Sequence, residues 1–348
     1  MDGIDLRSDT VTKPTPEMRR AMYEAEVGDD GLEGDPTTRR LEELAAEHTG
    51  TEAGLLVASG SMGNLVSALS QVSVGEAMLI GKQSHMAWSV DQAHGHPTYA
   101  QISVRIVQEQ NGEMPLEDVE LSLNNGPDQG NRITLVCIEN THNGTNGMPL
   151  DIPYLAEVSE VVKRKDARLH VDGARLFNAS VALGLSAAEL VGNADSVSFC
   201  LSKGLACPIG SVVCGSREFV EEARKQRKIV GGEMRQTGII SAAGIVALET
   251  MIDRMVDDHA NAKRLSEGLA DINGIVIDPE KINTNIVFFE TTIKPAGVIE
   301  EELRAENVHC FALGNRIRMV THYEISREDV ESTLMAVQRV MRGDSVNG

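Results

Sequence analysis

Short apolar runs alternate with stretches of helical periodicity between residues 52 and 250. The runs include EAGLLVASG, EAMLIG, RITLVCIEN and DSVSFCLS, and helical stretches such as SMGNLVSALSQV and YLAEVSEVVKRKD separate them. Strands that are apolar on both faces and alternate with helices are typical of a mostly parallel sheet covered by helices. The pattern therefore predicts a large α/β domain over residues 51–250.

The pattern changes after a helical stretch that begins near residue 240. GIVIDP, NIVFFET, VHCFALG and IRMVTHYEI predict strands, GVIEEELRAE predicts a helix, and Ser326 with Asp329 predicts the capped start of a last helix. We expect a smaller C-terminal α+β domain at residues 251–348. Residues 1–50 are expected to form an N-terminal arm in which TVTKPTPEMRRAM enters a short helix.

The composition is that of a globular enzyme, with 41% hydrophobic and 24% charged residues in a chain of 348. A net charge of -20 repels nucleic-acid phosphates and anionic membranes, and an aromatic content of 3% leaves few side chains to stack on bases. We therefore expect no nucleic-acid partner. No apolar leader opens the sequence and no apolar stretch is as long as a membrane span, so we expect neither secretion nor membrane insertion.

The cysteines indicate a reducing compartment. There are five, an odd number, and no two of them form a CxxC pair. This usage fits reduced thiols better than a disulfide framework. We expect all five to be core residues of a cytoplasmic protein.

Chemistry is expected where strands end, because ligands of open α/β sheets bind at the carboxyl ends of the strands. After LLVA, the residues Ser59, Gly60, Ser61 and Met62 open a helix. Backbone N–H groups at a helix N-terminus, flanked by small residues, form a phosphate cradle. Such strand-glycine-helix turns are also common without any ligand.

Two further strand ends carry charged residues. Asp172 follows the run ARLHV and Arg175 stands three residues later, while Lys203 follows SVSFCLS. Taken alone, these are an internal ion pair and a surface lysine that extends to water. Together with the phosphate cradle they form the set that pyridoxal 5'-phosphate (PLP) requires: an anion site, a carboxylate for the pyridine nitrogen and an amine for the Schiff base.

The surrounding motifs resemble the threonine aldolase group of fold type I PLP-dependent enzymes. They are, in order, DLRSDTVTKPTPEMRRAM, GDPTTRRLEELAA, SGSMGNL, IENTHN, HVDGARLFNA, SKGLACPIGS, GGEMRQTG and RMVTH, and they extend over nearly the whole chain. The resemblance implies a fold type I PLP-dependent transferase-like fold.

The resemblance also implies the cofactor-binding residues. Lys203 would form the Schiff base, Asp172 would pair with the pyridine nitrogen, and Arg175 would lie near the cofactor's phenolic oxygen and the substrate carboxylate. The phosphate would be bound by Gly60, Ser61 and Met62, with Ser59, Ser202, Lys228 and Arg235 as further contacts. Lys228 and Arg235 reach across from a neighbouring subunit in such enzymes, so a homodimer is expected as the minimum and a tetramer as the family's assembly.

Three residues are assigned to the substrate side by the same resemblance. His85 matches the histidine that stacks on the pyridine ring and is a candidate general base. Ser8 and Arg318 match the residues that bind the substrate carboxylate, for which an arginine fork is suitable.

The chain departs from the family pattern at three places. Leu32 stands where a tyrosine is frequent, and Gln129 where many members have a second histidine. The usual glutamate and paired glycines after the stacking histidine are replaced by Asp91, His94, Gly95 and His96. His94 and His96 with Asp91 also suggest a metal site, but no fourth ligand is evident and we expect no metal. A role in the aldehyde-side pocket is the other interpretation.

The activity implied is retro-aldol cleavage of a β-hydroxy-α-amino acid to glycine and an aldehyde. Two other PLP reactions stay open, β-elimination and racemisation, because sequence does not show which bond is perpendicular to the ring. A third alternative is a cofactor-binding protein without catalysis. A nicotinamide dehydrogenase would need a glycine fingerprint that the chain lacks.

Overall fold

The structure is a computed structural model that describes residues 3–87, 102–124 and 130–343. Its strands are β1 (Ile4–Asp5), β2 (Ala53–Val57), β3 (Glu76–Gly81), β4 (Ser103–Val107), β5 (Arg132–Glu139), β6 (Arg168–Asp172), β7 (Ser196–Cys200), β8 (Ser211–Gly215), β9 (Ile275–Val276), β10 (Ile286–Thr291), β11 (Val308–His309), β12 (Phe311–Leu313) and β13 (Arg316–Val320). Its α-helices are α1 (Pro16–Glu24), α2 (Pro36–Thr49), α3 (Gly60–Gln71), α4 (Leu116–Asn124), α5 (Ile152–Arg164), α6 (Leu176–Leu183), α7 (Ala187–Val191), α8 (Arg217–Ile229), α9 (Gly238–Thr250), α10 (Met255–Ala270), α11 (Ala296–Ala305) and α12 (Arg327–Arg342).

The large sheet has the strand order β2-β8-β7-β6-β5-β3-β4 within the described ranges. Strands β3 to β7 pair in parallel, whereas β8 runs antiparallel to both of its neighbours, β7 and β2. The mostly parallel sheet expected from the sequence is therefore confirmed. The register sets Glu139 beside Asp172 and Asp172 beside Ser198, which brings three strand ends to one edge.

Both faces of this sheet are buried, as the apolar runs predicted. On one face, one core contains Leu79, Val136, Val171, Val197 and Val212, each at most 1% exposed. Met78, Ile80 and Leu135 belong to a second core. Because alternate residues of a strand point to opposite faces, neighbouring strand residues such as Met78 and Leu79 enter different cores.

The helices begin at side-chain caps that the sequence carries. Ser59 accepts a hydrogen bond from Met62 N at the start of α3, and Asp35 accepts one from Thr38 N at the start of α2. The capping box predicted at Ser326 and Asp329 is present at the start of α12. Each such cap stabilises a helix by about 1 kcal/mol because it satisfies an N–H group without an intrahelical partner.

A smaller antiparallel sheet, of order β12-β13-β10-β9, lies in the C-terminal part of the chain. Its core includes Val287, Phe289, Ile317 and Leu334 from β10, β13 and α12. The N-terminal arm contributes to it as well, because β1 pairs in parallel with β11 and Leu6 is fully buried in this core. The domain boundaries given above stay a prediction.

The five cysteines are free and buried. Their expected position in the core is confirmed. None of the helices in the described part of the chain is both long and apolar enough to cross a membrane.

Candidate active site

The site is built where the strands β5, β6 and β7 end beside the start of helix α3. A Cβ added to Gly60 would lie 2.7 Å from Cys200 Sγ, so the first turn of α3 packs directly on the end of β7. Lys203 follows β7 by three residues. The first turn of α3, Asp172 and Lys203 thus lie at the same edge of the sheet.

Asp172 is a buried carboxylate with two donors. Its side chain accepts hydrogen bonds from Asn64 Nδ2 at 2.7 Å and from Ala174 N at 3.1 Å, and the residue is 2% exposed. Ser198 Oγ donates to Asn64 Oδ1 at 3.1 Å and so orients the amide of Asn64. Asn64 was not singled out from the sequence, where the only signal was a polar residue on an apolar helix.

The four cradle residues form the first turn of α3 and the residue before it. Ser59 caps the helix, and Ser59 and Ser61 are exposed while Gly60 and Met62 are half-buried. A Cβ on Gly232 would meet Met62 Sδ at 2.6 Å, so the segment after α8 lies against this turn. Backbone N–H groups and small side chains are thus open to an anion at a helix N-terminus.

Lys203 is held by its backbone. Its carbonyl accepts from Ala206 N at 2.8 Å and from Thr12 Oγ1 at 3.2 Å, which ties the N-terminal arm to the lysine turn. No hydrogen bond or ion pair of Lys203 Nζ is formed with the described residues. Ser202, the neighbouring candidate, is half-buried like Lys203 itself.

Arg175 makes a buried, bidentate ion pair with Asp9. Its Nε and Nη2 each donate to the carboxylate at 2.7 Å. Burial opposes the ionisation of Asp9, but the charges of Arg175, Lys203 and Arg318 hold the pKa of Asp9 well below its ordinary value. Asp9 was not predicted from the sequence, and its negative charge offsets the cluster of cations around it.

Arg318 lies on β13 and is linked to Arg175 through Asn143. Asn143 Oδ1 accepts from Arg318 Nη2 at 2.9 Å and from Arg175 Nη1 at 3.3 Å. Burial first, and the charge of Arg175 second, lower the pKa of Arg318 to about 10. Arg318 Nε is buried and has no hydrogen-bond partner within the described residues. Ser8 stands between two residues that contact these arginines, Arg7, whose carbonyl accepts from Arg318 Nη1 at 3.1 Å, and Asp9; its Oγ accepts from Thr10 N at 3.3 Å.

His85 is placed in the turn after β3 by Glu139. The backbone N of His85 donates to one carboxylate oxygen of Glu139, and Asn143 N donates to the other at 2.8 Å. A second buried carboxylate, Glu109, accepts from Gln83 N and pairs with His142 Nε2 at 2.9 Å. Neither glutamate was predicted from the sequence.

Lys228 and Arg235 lie on the exposed segment that passes Met62. Lys228 pairs with Glu233 at 3.0 Å and Arg235 with Asp29 at 3.2 Å. Leu32, one of the departures from the family pattern, is 76% exposed in the adjoining loop.

The other departures, Gln129 and the segment from Asp91 to His96, lie outside the described residues. Within residues 3–87, 102–124 and 130–343, no three histidine, cysteine, aspartate or glutamate side chains are grouped so that they could bind a metal ion.

Comparison with known proteins gives a consistent result. The sequence model of the family "Beta-eliminating lyase" matches residues 5–292. Low-specificity L-threonine aldolase 1 of Arabidopsis thaliana is 43% identical over 350 residues, which cover 98% of this chain and 97% of that protein. The chain belongs to the beta-eliminating lyase family. The threonine aldolase resemblance of its motifs is thereby confirmed.

Solved structures show that the fold of this lyase is the expected one. Threonine aldolase of Leishmania major matches with a TM-score of 0.82 at 16% identity, covering 97% of this chain and 99% of that one. A structure of SPT with its PLP internal aldimine matches with a TM-score of 0.76 at 18% identity, covering 99% and 88%. The fold type I architecture is confirmed, and its neighbours include PLP enzymes.

The residues of this family member fit PLP on three observations. The backbone at Gly60 leaves no room for a Cβ and lies at a helix N-terminus, as a phosphate cradle requires. Asp172 is a buried carboxylate at the strand end that accepts hydrogen bonds from two donors, and a carboxylate in this position suits a pyridine N–H as a further donor. The buried Nε of Arg318, without a partner in the described chain, suits an additional acceptor such as a carboxylate.

Proposed function

We propose that the protein cleaves a β-hydroxy-α-amino acid, such as L-threonine, L-allo-threonine or phenylserine, to glycine and an aldehyde with PLP as cofactor. One observation carries the proposal. The buried carboxylate of Asp172, the lysine turn at Lys203 and the helix N-terminus at Gly60 meet at one sheet edge, next to the arginines Arg175 and Arg318. The phosphate, the pyridine nitrogen and the aldehyde of PLP, and the carboxylate of a substrate, would each have a matching group there.

Each side chain has a distinct role in this proposal. Bound PLP supplies an electron sink for the pair of the Cα–Cβ bond as that bond breaks. Lys203 holds the cofactor through Nζ, and Asp172 keeps a proton on the pyridine nitrogen. Ser59, Gly60, Ser61, Met62 and Ser202 bind the phosphate, with Lys228 and Arg235 in a dimer.

The substrate would be bound on the arginine side. Arg175, Arg318 and Ser8 bind the α-carboxylate. Arg318 offers the open donor, because its Nε has no partner among the described residues, whereas Nε and Nη2 of Arg175 are paired with Asp9 and Arg175 contributes mainly its positive charge. His85 is the base that takes the proton from the β-hydroxyl group, and a proton returns to Cα after the bond has broken, so glycine and the aldehyde together balance the substrate.

Product analysis tests the reaction. The purified protein with PLP is incubated with L-threonine, L-allo-threonine and phenylserine, and glycine and aldehyde are measured against ammonia and the enantiomer. We expect glycine and aldehyde in equal amounts. Ammonia with an oxo acid would instead identify β-elimination, and a change of enantiomer would identify racemisation; either result as the main reaction contradicts the proposal.

Lys203→Ala tests the site itself. We expect the variant to lose the visible absorption of the bound cofactor and the cleavage activity, because Lys203 is the lysine that follows the end of β7. Lys163→Ala, at an exposed lysine of α5, is the control and should behave like the wild type. Unchanged turnover by Lys203→Ala would exclude the assignment.

We infer a homo-oligomer, a dimer at least and a tetramer as the family suggests. The support is an apolar patch of five exposed side chains on the segments 23–32 and 229–239: Tyr23, Val27, Leu32, Ile229 and Ile239. Asp30 N donates to Arg235 O at 3.0 Å, so these segments are adjacent. Lys228 and Arg235 lie next to the patch or within its segments, which fits a site shared between subunits.

The free, buried cysteines support a cytoplasmic location.

A further inference from the structure

Two buried glutamates connect the turn after β3 with the turn after β5. Glu139 is 4% exposed and ends β5 beside Asp172 in the register. One of its oxygens accepts from His85 N and the other from Asn143 N. Asn143 in turn accepts from Arg175 and Arg318 through its side-chain oxygen. A single carboxylate thus contacts both the histidine turn and the residue that bridges the arginines.

We propose that Glu139 is a positioning residue that couples His85 to the carboxylate-binding arginines, an inference that rests on the proposed function. Its two hydrogen bonds fix the backbone at His85 and at Asn143 relative to each other. The backbone that carries the ring of His85 and the residue that bridges the two guanidinium groups are thereby held in one arrangement, which a bound cofactor and substrate would need. Glu139 itself acts only through these neighbours.

A carboxylate is needed at position 139 to keep both hydrogen bonds, because both partners of Glu139 are backbone N–H groups. A backbone N–H only donates, so both side-chain oxygens must accept. Glutamine at this position would turn its own NH2 group toward one of these donors, and one hydrogen bond would be lost together with the negative charge. A lost hydrogen bond to a charged, buried group weakens an interaction by roughly ten- to hundredfold.

Glu109 provides a matched control, since it is equally buried and connects the same two turns. One of its partners is Gln83 N, but the other is the ring nitrogen Nε2 of His142. A neutral imidazole can accept at Nε2 while its Nδ1–H donates to Thr145 Oγ1, which lies 3.0 Å away. Glutamine at position 109 therefore retains both hydrogen bonds, whereas glutamine at position 139 does not.

The test compares E139Q and E109Q in the full-length protein. We measure the dissociation constant of PLP from the visible absorption, KM and kcat for L-threonine, and the melting temperature. For E139Q we expect the PLP dissociation constant and KM to rise together, each by roughly ten- to hundredfold. E109Q should remain close to the wild type in both. The inference would be overturned if the two variants had equal PLP dissociation constants and equal KM values, or if E139Q lowered the melting temperature without changing either constant.

A second variant covers the case in which E139Q does not fold. E139D keeps two acceptor oxygens on a shorter side chain, so it strains both hydrogen bonds without removing either. We expect PLP affinity and KM to change together, by less than in E139Q. A change in only one of them contradicts the coupling. A wild-type protein that binds no PLP or cleaves no substrate contradicts the proposed function instead, and so the two failures are distinguished.

Discussion

Asn64 is an uncharged side chain that orients the buried carboxylate of Asp172. Its Nδ2 donates to the carboxylate at 2.7 Å, and its orientation is fixed because Ser198 donates to its Oδ1. Asp172 is almost fully buried, so this donor replaces the water that would otherwise stabilise the charge. The amide of Asn64 therefore fixes the position of the Asp172 carboxylate, which is the group proposed to face the pyridine nitrogen.

Asn64→Ala removes one of the two donors to Asp172. We expect the dissociation constant of PLP to rise by roughly ten- to hundredfold, because the buried carboxylate loses a hydrogen bond to its charged form. A PLP titration followed by visible absorption measures the change. Ser198→Ala is the control: it leaves the bond between Asn64 and Asp172 in place, so its effect should be clearly smaller. Equal effects of the two substitutions would show that Asn64 does not act through Asp172.

The sequence singled out candidate site residues that directly follow apolar runs. Asp172 and Lys203 are examples, because a charged residue is easily recognised in the sequence when it stands at the end of an apolar run. Asp9 and Asn143 lie in turns outside the strands, and Asp9 meets Arg175 across a separation of 166 residues. No local spacing indicates such a contact. Their roles became visible only when tertiary structure brought the turns together.

At the scale of elements, the strands of the large sheet within the described ranges coincide with the apolar runs, because a strand buried on both faces, as most of them are, has a strong hydrophobic signal. The pairing of β1 with β11 was not predicted. Each of these strands has two residues, too few for any periodicity, and their pairing joins the two ends of the chain. The antiparallel direction of β8 was also not predicted, because the hydrophobic pattern of a strand does not depend on the direction in which the strand runs.

The contact between α3 and β7 leads to a prediction about the cradle. In Gly60→Ala the new Cβ would lie 2.7 Å from Cys200 Sγ, and its next contact, Ser211 Oγ, is at 3.7 Å. The first turn of α3 must therefore shift, and we expect weaker binding of PLP because the N–H groups of the cradle move with it. The PLP dissociation constant, measured by visible absorption, should rise.

The double variant Gly60→Ala/Cys200→Ala separates this clash from a general effect of alanine. Removal of Sγ leaves no other atom closer than 3.7 Å to the new Cβ, so PLP affinity should return most of the way toward that of Cys200→Ala alone. An additive loss in the double variant would contradict the packing explanation, since contacting residues are expected to be non-additive.

At the scale of the whole molecule, the apolar patch defined above is the surface expected to be covered by a second copy of the chain. It lies beside Lys228, Arg235 and the turn at Met62, so under the proposed function assembly would be connected with cofactor binding. A large exposed apolar surface next to polar residues commonly marks an interface. Oligomerisation and PLP affinity should therefore change together when the patch is altered.

Ile229→Asp tests this connection. Ile229 is 74% exposed on the single chain, and a buried isoleucine contributes about 1.5–3 kcal/mol, twice in a two-fold interface. We expect sedimentation velocity to show a shift toward the monomer and PLP to bind more weakly, because the phosphate contacts proposed for Lys228 and Arg235 of a second copy would be lost. Val276→Asp, at a residue 55% exposed on the smaller sheet, is the matched control and should leave both unchanged. An Ile229→Asp protein that sediments like the wild type would place the interface elsewhere, since a buried aspartate without a partner is costly.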